Sequence, residues 1–307
     1  MKIYITNNLV DEPTGGGNQF LKALKKQFKS INVYVEDPRE ANIILFNSHQ
    51  EIDQVLFLKK HLKESTKFVH RVDGPMRLYN NMSDERDLIA YQLNNICADA
   101  VIFQSKWSRN ANLQLGLNIG SKQHTVIVNA VDDTIFNAKK NDKLKHKIKI
   151  IASSWSNNIR KGFNIYKYLD NVLDFEKYEF SFMGRSPYKF NNIRNLGALR
   201  TELVAKNLQN SDIFITASEN DPCSNSLIEA MSCSLPAIAL RSGGHPEIVK
   251  NGGVLFEKKE EIVDKIEELC ENYVSYKNNI IVDNISQVAD KYLSFFENKL
   301  YEKNYGN

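Results

Sequence analysis

The chain has 307 residues, 42% of them hydrophobic and 25% charged; this ordinary globular composition excludes a disordered, collagen-like or coiled-coil protein and suits two domains of roughly 150 residues each. The 40 basic and 37 acidic residues leave a formal charge of +3, so no global field draws the molecule onto nucleic acid. No apolar run approaches the ~18 to 20 residues that span a bilayer, and any membrane contact is expected to be peripheral.

Met1 to Thr6 runs directly into an alternating strand pattern, without the basic start and cleavage site of a secretory signal, so a cytoplasmic location is expected. Cys97, Cys223, Cys233 and Cys270 form no CxxC pair and suit free thiols in a reducing compartment rather than a zinc site. Short β-branched or aromatic runs then alternate with longer amphipathic stretches, the signature of βαβ units with a parallel sheet. In the first half the expected strands are Lys2 to Thr6, Asn32 to Val35, Asn42 to Phe46, Lys67 to Val72, Ala100 to Gln104 and Thr125 to Asn129. Asn18 to Phe28 reads as a helix with Phe20, Leu21, Leu24 and Phe28 on one face, and Glu51 to Leu62 as another with Val55, Leu56, Leu58 and Leu62 together.

The lysine-rich stretch Asn137 to Lys147 reads as an interdomain linker. A second strand series follows at Ile148 to Ala152, Glu179 to Met183, Asp212 to Thr216, Pro236 to Leu240 and Gly253 to Phe256. Helices are expected around Phe163 to Leu169, Thr201 to Leu208, Asn225 to Met231 and Glu260 to Cys270, with a helical tail from Asn284 to Tyr301. The fold class is therefore α/β, with residues 1–140 and 141–280 as two Rossmann-like lobes and 281–307 as a C-terminal helix packing back towards the first.

Four segments carry chemistry. Asp11 to Phe20 holds three consecutive glycines, Gly15, Gly16 and Gly17, between a strand and a helix start, where a phosphate can approach the backbone. A flexible turn would read the same way. Ser154 to Phe163 ends in the basic pair Arg160 and Lys161 at a strand's carboxyl end, where a diphosphate could be neutralised, or where a solvated basic turn would sit. Ser218 to Val249 places Asp221 in a loop and Glu229, after seven intervening residues, on the following helix. Two carboxylates so spaced can grip different parts of one ligand while helix amides face its phosphates, and in the loop Ser242 to Glu247 Gly243 and Gly244 could admit a sugar or phosphate of the same ligand close to the backbone; equally, Ser226 and Glu229 spell a capping box, Asp221 can open a turn before Pro222, and the glycine pair can be a tight turn. In the first lobe, Arg71 and Asp73 end a strand where they could bind a hydroxylated acceptor or an anion, or form a salt bridge between loops.

Asp212 to Val249, with DPCSNSLIEAMSCSLP and SGGHPEIV, resembles glycosyltransferase family 4. The resemblance continues in family order through GGGNQF, HRVDGP, AVIFQSKWS, VIVNAVDDTIF and SNNIRKGF, from about residue 1 to 255. It implies a GT-B fold, two Rossmann-like lobes facing a central cleft, with the acceptor held by the first lobe and a nucleotide sugar by the second. It implies a retaining transfer that needs no cofactor and no divalent metal. By position, Lys161 and Arg160 would meet the donor diphosphate, Glu229 the ribose, and Asp221 the hydroxyls of the sugar in transfer. Ser224, Asn225, Ser226 and Leu227 would support the phosphates, Gly15 would meet the donor, Gly16 and Gly17 the reacting centre, and Arg71, Asp73 and Asn18 the acceptor.

Two positions depart from the family pattern. Asp221 stands where glutamate is usual and reaches one methylene less far, and Trp155 stands where many relatives carry an arginine, a charge that Arg160 or Arg185 could replace. The chain is also short for the fold, which implies trimmed loops. Two other readings share the fold: a non-catalytic nucleotide-sugar-binding or scaffold protein, and a nucleotide-sugar epimerase, against which the absence of an obvious second carboxylate and histidine set speaks.

Overall fold

The computed structural model describes residues 1–8, 16–138, 144 and 147–300. Gly15, Tyr301 and most of the lysine-rich stretch from Asn137 to Lys147 lie outside the described residues. The chain divides into two compact units, bounded as Met1–Leu9, Phe20–Asn129 and Asn284–Asn307 for the first and Val10–Gln19 and Ala130–Asp283 for the second.

The first unit is a sheet of five parallel strands in chain order, β1 Ile3–Ile5, β2 Ile43–Asn47, β3 Lys67–Val72, β4 Ala100–Phe103 and β5 Gln123–Val126. Strands β2 and β4 are near-continuous apolar runs, as suits strands inside a parallel sheet, and every residue of both is buried. The helices along this part of the chain are α1 Gly16–Ser30, α2 Ile52–His61, α3 Met76–Tyr79, α4 Arg86–Cys97 and α5 Lys106–Gln114. In α1, Phe20, Leu21, Leu24 and Phe28 are buried as their spacing predicts. In α2 the buried face holds Val55 and Leu58 while Leu56 is exposed, since position 56 lies about 100° around the helix from position 55.

Two expectations for this unit are corrected, and two helices are added. Asn32 to Val35 forms no strand: Tyr34 makes one parallel bridge to Ile3, after which Asp37 and Pro38 start a short 3-10 turn. The fifth strand lies at Gln123–Val126 rather than Thr125 to Asn129, because the chain leaves the sheet after its last ladder partner at Val126. Helices α4 and α5 were hidden because their buried faces carry Asp87, Asn94, Ser108 and Asn112. Asp87 is used to bond the amides of Met76 and Arg77 (2.7 and 2.8 Å), and Asn94 bonds the ring of His70 (3.0 Å).

The second unit is a parallel sheet of β6 Ile148–Ser154, β7 Tyr178–Gly184, β8 Arg194–Asn195, β9 Ile213–Thr216, β10 Ala237–Leu240 and β11 Gly253–Phe256. The spatial order is β11-β10-β9-β6-β7-β8. Its helices are α6 Phe163–Val172, α7 Thr201–Gln209, α8 Asn225–Ser232, α9 His245–Val249, α10 Ile262–Glu271 and α11 Tyr273–Asn278. The core is aromatic where α6 meets the sheet: Phe163, Tyr166, Phe182 and Phe190 are buried with ring centroids 5.4 to 6.2 Å apart. The last described helix, α12 Ile285–Leu300, belongs to the first unit, where Tyr292 packs 6.4 Å from both Phe20 and Phe28.

Candidate functional site

Growth of the second sheet reverses between β6 and β9. The chain adds β7 and β8 on one flank of β6, then returns to add β9, β10 and β11 on the other. In open α/β sheets the crevice at such a reversal, beyond the carboxyl ends of the strands, is where ligands bind. Three loops leave the sheet there, after β6, β9 and β10.

They are joined closely, and glycine makes that possible. Gly162 has φ +77, and a Cβ on it would lie 2.3 Å from Ala217 O; Gly243 has φ +59, and a Cβ on it would lie 2.2 Å from Asp221 O. Only glycine tolerates both the backbone angle and the approach. Backbone bonds complete the stitching: Glu219 N donates to Arg160 O (2.7 Å) and Gly244 N to Asp221 O (2.9 Å). The Tyr166 hydroxyl accepts from Ala217 N (3.2 Å), tying α6 to the β9 loop.

This framework presents the side chains. Lys161 Nζ lies 3.1 Å from Asp221 Oδ2 in a mostly buried ion pair. Burial opposes ionisation of Asp221, but the charge of Lys161, with bonds from Lys161 and Cys223 N (3.2 Å), outweighs it and holds the carboxyl below its usual range. The Cys223 bond is the turn expected at Asp221; the ion pair adds a second role. Behind Asp221, Ser218 Oγ lies 3.2 Å from His245 Nε2, and His245 Nδ1 donates to Leu240 O (2.8 Å). Burial keeps the His245 pKa below its ordinary value, so the neutral ring accepts the Ser218 proton at Nε2. Arg160 pairs instead with Glu219 (2.9 Å) at the surface.

Helix α8 starts one residue after Ser224, which makes no side-chain cap; its Oγ lies 3.2 Å from Ser226 Oγ. The capping box of Ser226 and Glu229 is therefore not formed. Glu229 sits on the fifth helical residue, with 6% of its surface exposed. Its carboxylate has no hydrogen-bond or ion-pair partner among the described residues, and burial pushes its pKa up to about 8. The amides of Asn225, Ser226 and Leu227 stand in the first turn, where helices receive anions.

The other expected residues are placed as follows. Gly16 and Gly17 open α1, with open space where a Cβ of Gly17 would be, and Asn18 is half-buried on the same helix. Arg71 is completely buried and donates to Asp73 Oδ1 (3.0 Å), Asn47 Oδ1 and Asn129 Oδ1 (2.7 Å), so it holds Asp73 at the strand end. His70, its neighbour, is buried on the opposite face, stacked 4.4 Å from Phe46 and pushed down to about 3 by burial. Sequence reasoning named neither Ser218 nor His245 as site residues; 27 residues separate them, and only the fold joins them.

The fold is α/β and of GT-B architecture, two parallel-sheet Rossmann-like units, with the candidate residues gathered at the sheet reversal of the second. Sucrose-phosphate synthase from Thermosynechococcus elongatus is similar over 98% of this chain and 100% of that one, with a TM-score of 0.74 and 13% identity. HepE from Anabaena, in complex with UDP-glucose, matches over 98% of each chain with a TM-score of 0.68 and 14% identity. The catalytic domain of starch synthase IV from Arabidopsis thaliana, bound to ADP and acarbose, matches over 94% of this chain and 79% of that one (TM-score 0.67, 15% identity). The profile of the family described as Glycosyl transferases group 1 matches residues 189–286, which include Asp221, Ser224 and Glu229 but not Lys161. Among curated proteins, uncharacterized protein 356 of Sulfolobus islandicus rod-shaped virus 1 is 23% identical over 225 residues, 61% of this chain and 63% of that protein. The match thus spans less than two thirds of that relative.

Proposed function

We propose that the chain is a retaining, family 4 type glycosyltransferase that moves a glycosyl group, a hexosyl in the simplest case, from a nucleoside-diphosphate sugar to a hydroxyl acceptor. The observation that carries this reading is the gathering of Lys161, Asp221, the uncapped start of α8 and the unpartnered Glu229 at one sheet reversal. The second unit would hold the donor and the first the acceptor.

Each group meets a demand of the reaction. The departing diphosphate gains charge, and Lys161 with the amides of Asn225, Ser226 and Leu227 supplies fixed positive potential without a metal. An entering diphosphate competes with Asp221 for Lys161. The released carboxylate then accepts hydroxyls of the sugar in transfer, which is how the shorter aspartate can serve here. Glu229 accepts the ribose hydroxyls, and those bonds favour the ionised form that burial disfavours. Arg160, half-exposed beside Glu219, supplies further positive charge at the same loop. Gly16 and Gly17, at the start of α1, would serve the phosphates and reacting centre, and Asn18 the acceptor. The free thiols Cys97, Cys223 and Cys233, all buried, suit a cytoplasmic protein.

A thermal-shift screen of nucleoside-diphosphate sugars, followed by NMR of the anomeric coupling in any product, tests this. At least one donor should raise the melting temperature and give product of unchanged anomeric configuration. Binding without transfer would favour the non-catalytic reading, to which Trp155 and the Lys161 to Asp221 pair also lend support. Binding to no nucleotide sugar would end both.

A further inference from the structure

The loop after β10 carries a histidine that the proposed donor contacts leave unused. His245 opens α9, and its ring is completely buried. Gly243 and Gly244 lay this loop on the backbone of Asp221, and from there the ring reaches Ser218. Ser218 is 3% exposed, and its Oγ lies 3.2 Å from His245 Nε2, 3.4 Å from Asp221 Oδ2 and 3.4 Å from Thr216 Oγ1.

A serine hydroxyl has one proton to give, and three neighbours here could take it. The distances choose among them. An O–H···O bond normally spans about 2.5–3.0 Å, and less to a carboxylate, so each separation of 3.4 Å is the approach of two oxygens with no proton between them. On the far side of the ring, His245 Nδ1 lies 2.8 Å from Leu240 O. A carbonyl oxygen can only accept, so Nδ1 carries the proton and Nε2 of the neutral ring is an acceptor. The serine proton therefore goes to Nε2. Leu240 O thus decides, through the ring and the serine, that Asp221 receives no proton from this side.

Asp221 is served elsewhere, by Lys161 Nζ at Oδ2 (3.1 Å) and Cys223 N at Oδ1 (3.2 Å). A carboxylate offers about four lone-pair positions, so these donors leave room on a side chain that is 12% exposed. Were the ring protonated, both its nitrogens would donate: Nε2–H would take Ser218 Oγ, and the serine proton would turn to the charged acceptor, Asp221 Oδ2. Burial disfavours that state most; Asp221 favours a proton on the ring and Lys161 disfavours it. Strands β10 and β11, against which α9 packs, bring no titratable side chain, while α8 brings Glu229 and α9 itself Glu247. A purely structural role needs none of this, because an apolar pair of the same shape would fill the space at little cost.

The geometry points to His245 and Ser218 as positioning residues that draw a proton away from Asp221 and so keep one of its lone pairs open for a hydroxyl of the sugar in transfer. This deepens the transferase reading, on which the identity of that hydroxyl rests, but the relay itself is tested without a substrate. Nitrogen-detected NMR of the full chain should find the neutral His245 ring with its proton on Nδ1 and with Nε2 accepting. On acidification the Asp221 carboxyl carbon signal should move with the same midpoint as the His245 ring, and Ser218→Ala should largely abolish that movement. Turnover at saturating donor should fall through that midpoint by at least about tenfold in wild type, the worth of one charge-assisted hydrogen bond, and by less in Ser218→Ala. A proton on Nε2 of the neutral ring, an Asp221 signal indifferent to His245, the same movement in a folded Ser218→Ala, or turnover that does not fall at that midpoint or falls as far without the hydroxyl would overturn the inference. If Ser218→Ala does not fold, the tautomer and the shared midpoint of the wild-type chain decide. An intact relay in a chain that turns over no donor would sink the transferase reading and leave the relay standing.

Discussion

Replacing Glu229 by glutamine should stabilise the protein and weaken its grip on the nucleotide at once. The folded side chain holds its proton to about pH 8, against an ordinary value of 4.5, because burial penalises the anion. The unfolded chain loses that proton near 4.5, so stability falls as pH rises from 4.5 to 8 and is level above it. One pH unit in that window is worth about 1.4 kcal/mol, so at pH 7 the buried carboxyl costs about 3 kcal/mol. Glutamine keeps the shape and removes the titration. Glu229→Gln should therefore melt several degrees higher than wild type at pH 8 and no higher at pH 4.5, in a thermal-unfolding series across that range. In the complex the ribose hydroxyls need acceptors, and an amide offers one oxygen instead of two. Calorimetric titration with a nucleoside diphosphate should thus show at least a fivefold weaker complex for Glu229→Gln, and proton release on binding for wild type near pH 7. A variant no more stable than wild type at pH 8, yet unchanged in nucleotide affinity, would refute both halves of the reasoning.

The remaining expectations follow from the same contacts. Lys161→Ala should weaken nucleoside diphosphate binding about 10- to 100-fold, the worth of a charge-assisted bond of 1.5 to 3 kcal/mol, and should raise the Asp221 pKa in a carboxyl NMR titration by removing its partner. Asp221→Asn should depress turnover far more than diphosphate affinity, because its proposed contact is to the sugar; steady-state kinetics beside calorimetry would reveal equal effects if that role is wrong. Gly243→Ala forces a left-handed backbone on alanine and a Cβ into Asp221 O, so its urea midpoint should fall by the equivalent of more than about 2 kcal/mol, and an unshifted midpoint would contradict the close approach. His70 should stay neutral, with its proton on the nitrogen facing Ser48 O, down to pH 5 in nitrogen-detected NMR. Since its folded pKa lies below its ordinary one, its contribution to stability is complete above about pH 6.5 and is lost as pH falls towards 3.

The strands were the most legible part of the sequence. Gly253–Phe256 coincides with its expected bounds, because buried parallel strands need apolar runs and this one stands between polar loops; Lys67–Val72 does so too, although Lys67, His70 and Arg71 interrupt its apolar run. Helices were legible where the buried face is apolar, as in α1, and illegible in α4, where Asp87 and Asn94 face inward to cap and to bond. The two-residue β8 carried no hydrophobic signal, both its residues being exposed. For the site, Lys161, Asp221 and Glu229 could be picked from spacing and resemblance. What the sequence could not give was their state. The S-x-x-E spacing at Ser226 suggested a cap, but the helix begins at Asn225 and carries Glu229 inward. Arg71 looked like a binding group because it ends a strand, yet only Asp73 beyond it reaches solvent.

The central claim is that the crevice of the second unit binds and activates a nucleoside-diphosphate sugar. The most direct measurement is nucleoside diphosphate release from a panel of such donors, with and without maltotriose, by wild type and Lys161→Ala side by side. Wild type should release the diphosphate from at least one donor, faster with an acceptor present, and Lys161→Ala should do so at least tenfold more slowly. Release from no donor, or equal release by both proteins, would contradict it.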